Sequence, residues 1–248
     1  MANRIRSRFR GAYGSTLWTP FSKIGALWLD GDLSTMVDNG AGLVERWNDK
    51  FGGANYAEQN TGSVKPSNTG TLNSLPAMVF NQDYMTMDTE VTGIRTVVIV
   101  TDALNGSSNS LVSSLFSGSD NSHTFVTSNT TDENDDISID GNGSFSGSVK
   151  WCGNTAVSGT NINLGNTEAE NIGPSVWVIT YDQSIKINEI ARLNYSFSLI
   201  GNIASLRAFT EVLTADEIET QEGFEGHRYG LLSSFPADHP YKTTPPTA

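Results

Sequence analysis

The chain has 248 residues and a formal net charge of −12, with 27 acidic side chains against 15 lysines and arginines, a balance that argues against nucleic acid or an anionic membrane surface as partner. Hydrophobic residues make up 37%, and 24 glycines with many Ser, Thr and Asn accompany them, a composition of short strands and turns rather than of disorder. There is no run of 18 apolar residues, so no membrane-spanning helix is predicted, and the single cysteine, Cys152, excludes an internal disulfide framework.

Residues 1–23 differ from everything that follows. They hold Arg4, Arg6, Arg8, Arg10 and Lys23 and no acid, which leaves 10 basic against 27 acidic groups in the rest of the chain. Arginine at every second position places four guanidinium groups on one face of an extended chain. The segment is predicted to be an arm that docks on an acidic partner, with Trp18 and Phe21 around Pro20 packing its base. A plain basic tail and a nucleic-acid contact are the alternatives, and the acidic body opposes the second. The arginines are not followed by an apolar stretch, so no Sec-type signal is expected.

A single domain is predicted over 24–248. Residues 26–30 read as a short buried strand, 38–42 as a turn, 44–47 as a strand, and the Gly52-Gly53 pair as a tight turn needing positive φ. Extended structure resumes at 56–60, and 61–74 reads as a polar loop. Strands follow at 76–81, 84–87 and 94–102, the last (IRTVVIVTD) apolar enough to be central. Further strands are expected at 111–116, 123–127 and 145–151, the last with Phe145, Gly147, Val149 and Trp151 alternating at a period of two. Residues 153–173 are rich in Gly, Asn and Thr. SVWVITYD at 175–182 is another core strand, and Ile185, Ile187 and Ile190 with Tyr195 and Phe197 suggest one or two more.

Residues 203–246 hold the strongest local signals. Residues 203–212 carry apolar groups on both parities, as suits a strand buried on both faces. Thr214 stands three residues before Glu217, a capping box. Asp216, Glu217 and Glu219 lie in the first turns of the helix this implies and His227 and Arg228 in its last, as the helix dipole favours. Gly230 is placed to end the helix in a left-handed conformation, and Pro236, Pro240, Pro245 and Pro246 keep the tail extended. About a dozen short strands and one late helix argue for an all-β, antiparallel sandwich.

Two stretches resemble a known family. LWLDGDLSTM…GLVERWNDKFGGANYAEQN…LPAMVFNQDYMTMD at 27–88, containing Trp47 and Asp49, and LTADEIETQEGFEGHRYGLLSSFPADHPYKTTPP at 213–246, containing His239, Pro240 and Tyr241, look like the concanavalin A-like lectin/glucanase sandwich of laminin-G-like type found in bacterial and tailed-phage surface proteins. Residues 103–174 match nothing in that pattern. The resemblance implies a jelly roll of two antiparallel sheets. It also implies glycan binding (sometimes with calcium), an interaction role or, in a minority of members, glycoside hydrolysis; the fold alone does not choose.

The densest set of oxygen ligands is Asp132, Asp135, Asp136 and Asp140, with Glu133, Asn134 and Asn142. A calcium loop needs six to eight such oxygens, but the spacing departs from an EF-hand, and a solvated acidic turn around 140–143 is preferred. No metal or other cofactor is therefore assigned, calcium remaining the one candidate. No catalytic residue is assigned, because the Glu-x-Asp-x-x-Glu strand pattern of the glucanases is missing and no carboxylate pair stands out. His239 is expected to make a structural hydrogen bond, His227 to end the helix, and Cys152 to be a buried thiol. Trp151, Tyr181, Tyr195 and Tyr84 are the aromatics a sugar could stack on, with Trp151 and Tyr84 the named candidates; a core position is the competing assignment for each.

The layout leads to a non-enzymatic virion structural protein of a tailed phage, on the virion surface. Capsid decoration or head fibre is preferred to a tail location, and docking is through Arg4, Arg6, Arg8, Arg10 and Trp18 to a capsid or tail protein. The alternative is a lectin-like adhesion protein that recognises a host or environmental glycan. A homo-oligomer is compatible with either.

Overall fold

A computed structural model describes residues 25–102, 113–119, 124–127, 136–138, 146–154, 156–159, 161–163, 173–193 and 197–247. It shows an antiparallel β-sandwich with, among the described residues, one α-helix late in the sequence. Sixteen strands are described. They are β1 (Leu27–Asp30), β2 (Met36–Asp38), β3 (Val44–Asn48), β4 (Tyr56–Glu58), β5 (Ser67–Leu72), β6 (Leu75–Asp83), β7 (Met85–Thr101), β8 (Ser113–Ser117), β9 (Thr124–Thr127) and β10 (Asp136–Ser138), then β11 (Gly147–Trp151), β12 (Val157–Gly159), β13 (Asn161–Asn163), β14 (Ser175–Ile190), β15 (Arg192–Leu193) and β16 (Phe197–Phe209). Helix α1 spans Ala215–Tyr229.

Three long strands organise the two layers. The second half of β7 lies between the first half of β14 and the second half of β16, with β11 beyond β14 and β1 beyond β16. The first half of β7 lies instead between β4 and the second half of β14, and this second layer continues through β3 and β2 on one side and β8, β9, β10 and β13 on the other. The register between β7 and β14 slips between Thr180 and Ile185 and again on either side of Ile187; such irregularities bend a strand and let it pass from one layer to the other. Residues 84–87 and 94–102, expected as separate strands, are therefore two ends of one, as are 175–182 and 185–190.

Alternation places the core. Val97, Ile99, Trp177, Ile179, Leu206 and Ala208 meet Trp47, Ala57, Met85, Met87, Phe116 and Ile190 between the layers. The opposite parity of the first layer is buried too: Val98, Val100, Val176, Val178, Ala204 and Phe209 pack with Leu213, Tyr229, Leu231 and Phe235 of the helix and tail. This double burial explains the unbroken apolar runs of these strands. In β16 a slip between Ile203 and Ser205 changes parity, so Ile203 joins Leu206 in the main core while Ala204 faces the helix.

The helix forms as its sequence dictates. Thr214 Oγ1 accepts from the Glu217 amide and the Glu217 carboxylate accepts from the Thr214 amide, completing the capping box. Gly230 closes it at φ 67°, ψ 33°, a left-handed conformation that a Cβ penalises by about 1–2 kcal/mol. Residues 67–72, expected within a loop, form β5 instead: SNTGTL is polar because only Leu72 of this strand is buried, and its pairing with β6 supplies what its apolar content does not. Strands β12 and β13 likewise fall in a segment with no apolar period.

Candidate functional site

The two outer faces of the sandwich differ, and the first is closed by charge. Asp30, fully buried at the end of β1, accepts two hydrogen bonds of 2.7 Å from the Arg228 guanidinium on α1, and Lys50 lies 3.0 Å from its other side. Burial pushes the Asp30 carboxyl up, but Arg228, Lys50 and the Asp32 amide outweigh it and hold the group well below the usual carboxylate range. Arg207 of β16, also fully buried, pairs with Glu225 at 2.6 Å and with Gln221; burial lowers its pKa. For Arg228 burial acts in the same downward sense, yet the facing Asp30 wins and raises it. Glu222, one turn away, takes the Gly153 amide at 2.7 Å and Lys150 at 2.8 Å, with His239 Nε2 at 3.6 Å. These groups are matched and enclosed. They join α1 to β1, β11 and β16, each carboxylate facing a cation.

The tail completes this closure. The His239 ring stands edge-on to Phe235, 4.5 Å between centroids, and its Nδ1 accepts from the Tyr241 amide at 3.2 Å. Tyr241 lies across Gly223, where a Cβ would meet the Tyr241 Cβ at 2.5 Å. Lys242 Nζ caps the carbonyls of Leu232 and Phe235. Pro240 is exposed at the bend.

The second layer has a different outer face. Register aligns Val37, Arg46, Glu58, Thr86, Glu189 and Ser117 in one row across β2, β3, β4, β7, β14 and β8. Their neighbours Trp47, Ala57, Met85, Met87, Ile190 and Phe116 point inward to the core, so this row points outward. The adjacent position holds Tyr56, whose hydroxyl donates to Asp88 at 3.1 Å. The hydrogen bond to the Asp88 carboxylate raises the Tyr56 phenol above its ordinary pKa. Two arginines lie over tyrosine rings on this face: Arg46 over Tyr56 at 3.9 Å and Arg192 over Tyr84 at 3.5 Å. Arg192 also grips Glu189 through both carboxylate oxygens. Arg46 and Asp88 are exposed, Tyr56, Glu58, Tyr84 and Thr86 half-buried, and Glu189, Arg192 and Ser117 buried. The face is thus open at β3 and β4 and enclosed toward β14 and β8.

The residues singled out from sequence separate. Tyr84 lies on the open face. Trp151 does not: it is cross-strand from Trp177 and stacked on it, centroids 5.6 Å apart, and packs against the main core, because the parity that alternates along β11 is the inward one. Tyr181 is buried in the same core. Tyr84 stands one residue before the β7 position opposite Ile190 in the second layer, whereas Trp151 is opposite Trp177 in the first, with the bends of β14 between them. They do not form one site. Trp47 is fully buried and donates through its indole N–H to the Asp30 carbonyl at 2.7 Å. The Asp49 carboxylate accepts from the amides of Trp28, Phe51 and Gly53 and so holds the Gly52-Gly53 turn. Cys152 is buried, and burial raises its thiol pKa. Asp136 opens β10 rather than lying in a loop or turn. Arg4, Arg6, Arg8, Arg10, Trp18, Tyr195, Asp132, Asp135 and Asp140 lie outside the described residues. Among the described residues no group of three or more His, Cys, Asp or Glu is arranged to hold a metal ion.

Sequence reasoning missed both the buried ion pairs and the polar row, whose members are far apart in the chain. Compared with family models, curated proteins and solved structures, the chain matches none.

Proposed function

We propose that this is a non-enzymatic surface protein, held to a larger particle by its arginine arm, whose open sheet engages carbohydrate. The asymmetry between the two outer faces carries the reading. One face is covered by helix, tail and matched ion pairs. The other presents Tyr56 and Tyr84 among hydroxyl, carboxylate and guanidinium groups, the mixture of apolar ring and hydrogen-bonding group that a sugar requires. A glycosidase needs two free carboxyl groups facing one another. Across this face both oxygens of Glu189 are held by Arg192 and Asp88 accepts the Tyr56 hydroxyl, which favours binding over hydrolysis. A glycan array probed with the wild-type chain and with Tyr84→Ala and Tyr56→Ala, each checked for an unchanged melting temperature, tests this; absence of any glycan signal would refute the carbohydrate role, and release of reducing sugar from a bound polysaccharide the non-enzymatic one.

The particle we favour is the virion of a tailed phage, with capsid decoration or a head fibre ahead of a tail position. This part rests on the family resemblance of 27–88 and 213–246 and on the contrast between the Arg4–Arg10 arm and the acidic body. Deleting residues 1–20 and measuring particle attachment tests it; undiminished attachment would remove the docking role.

A further inference from the structure

We infer that the open sheet takes an uncharged glycan chain rather than a single sugar or an acidic glycan, an inference that rests on the carbohydrate reading above. The first argument is extent. Tyr84, the residue before β7, and Thr86 and Asp88 within it occupy alternate positions on one face, flanked by Glu58 and Tyr56 on β4. Four residues of strand separate the Tyr84 and Asp88 positions by about 13 Å, and the neighbouring strand adds about 5 Å of width. The polar groups and both tyrosines are therefore spread over a length that one sugar ring does not bridge.

The second argument is charge. Among the described residues of β4, β7 and β14, the carboxylates on this face are Glu58, Asp88, Glu90 and Glu189. Glu189 is bound by Arg192, and Glu90 faces Lys186 at 3.8 Å. Glu58 has no hydrogen bond or ion pair to a described residue, and Asp88 receives only the uncharged Tyr56 hydroxyl. Against these two the face offers one exposed guanidinium, Arg46, drawn over the Tyr56 ring. With Arg46 cross-strand from Glu58, the two carboxylates still outnumber the one guanidinium; they accept hydrogen bonds from sugar hydroxyls and disfavour uronate, sialate and sulfate groups. The formal charge of −12 acts in the same sense at longer range.

The test is calorimetric titration of the full-length protein with neutral oligosaccharides from one to six units and with matched uronate-containing or sialylated chains. Among neutral ligands affinity should rise at least about tenfold between one and four units, and the acidic counterpart should bind about tenfold more weakly at low salt, the gap narrowing as salt screens it. Glu58→Gln with Asp88→Asn, both changes on the solvent side, should narrow the same gap without lowering the melting temperature. A monosaccharide that binds as tightly as a tetrasaccharide, an acidic chain that binds as well as its neutral partner, or a gap unaffected by the double variant overturns the inference. If neither class binds, the carbohydrate reading itself fails.

Discussion

Replacing Asp30 with Asn should destabilise the domain far more than its single lost charge suggests. Asp30 is fully buried, receives two 2.7 Å bonds from Arg228 and faces Lys50 at 3.0 Å. Were this pair on the surface, its loss would cost at most about 1 kcal/mol. Removing one partner of a buried pair strands the other, which costs about 3–5 kcal/mol. For a domain of this size that is a fall in melting temperature of about 6–20 °C. Arg228→Met alone should cost less, because Lys50 still faces Asp30, and the double variant should recover at least about 2 kcal/mol relative to the sum of the singles. Urea unfolding followed by tryptophan fluorescence measures all four proteins. A cost for Asp30→Asn under about 1 kcal/mol, or strict additivity in the double variant, would show that the helix is not held by this pair.

The same carboxyl sets an acid limit. Its folded pKa lies below the unfolded value of about 3.9, so as pH falls the unfolded chain takes the proton first and protonation favours unfolding. The stabilisation is complete above about pH 5 and is lost as pH falls through about 4 toward the folded value; a pH series of melting temperatures should show that limb in the wild type and a shallower one in Asp30→Asn. Thr214→Ala removes the side chain that caps the Glu217 amide and should cost about 1 kcal/mol in the same unfolding assay. Gly223→Ala drives a methyl group into Tyr241 and should cost about 1–3 kcal/mol. It should also speed tryptic cleavage after Lys242, whose ammonium is otherwise held by the Leu232 and Phe235 carbonyls.

What the sequence disclosed was what short-range chemistry controls. Thr214, Glu217 and Gly230 marked the helix to the residue because a cap is made within one turn. IRTVVIVTD and SVWVITYD disclosed their burial because a strand covered on both sides has no polar parity. The same reasoning failed at SNTGTL, where pairing to β6 rather than apolar content makes the strand, and at 84–102 and 175–190, where bends looked like ends. Arg228 was legible only as a last-turn cation, and the pairing of Glu222, Glu225 and Arg228 with Lys150, Arg207 and Asp30 was not, since those partners come from three different strands. The row Arg46, Glu58, Thr86, Glu189 could not be seen at all before the register of four strands was known. Tyr84 and Trp151 were equal candidates by residue type, and only the parity of their strands divides them.

The sharing of β7 and β14 between the layers has a kinetic consequence. Two sheets built from separate strands can part along their interface. Here, opening the layer that carries Ile187 frees backbone that continues without a break into Ile179 of the other layer. Amides on both halves of β7 and β14 should therefore exchange with solvent deuterium through one cooperative opening and at one limiting rate. A short strand such as β2, paired among the described residues with β3 alone, should exchange earlier by fraying.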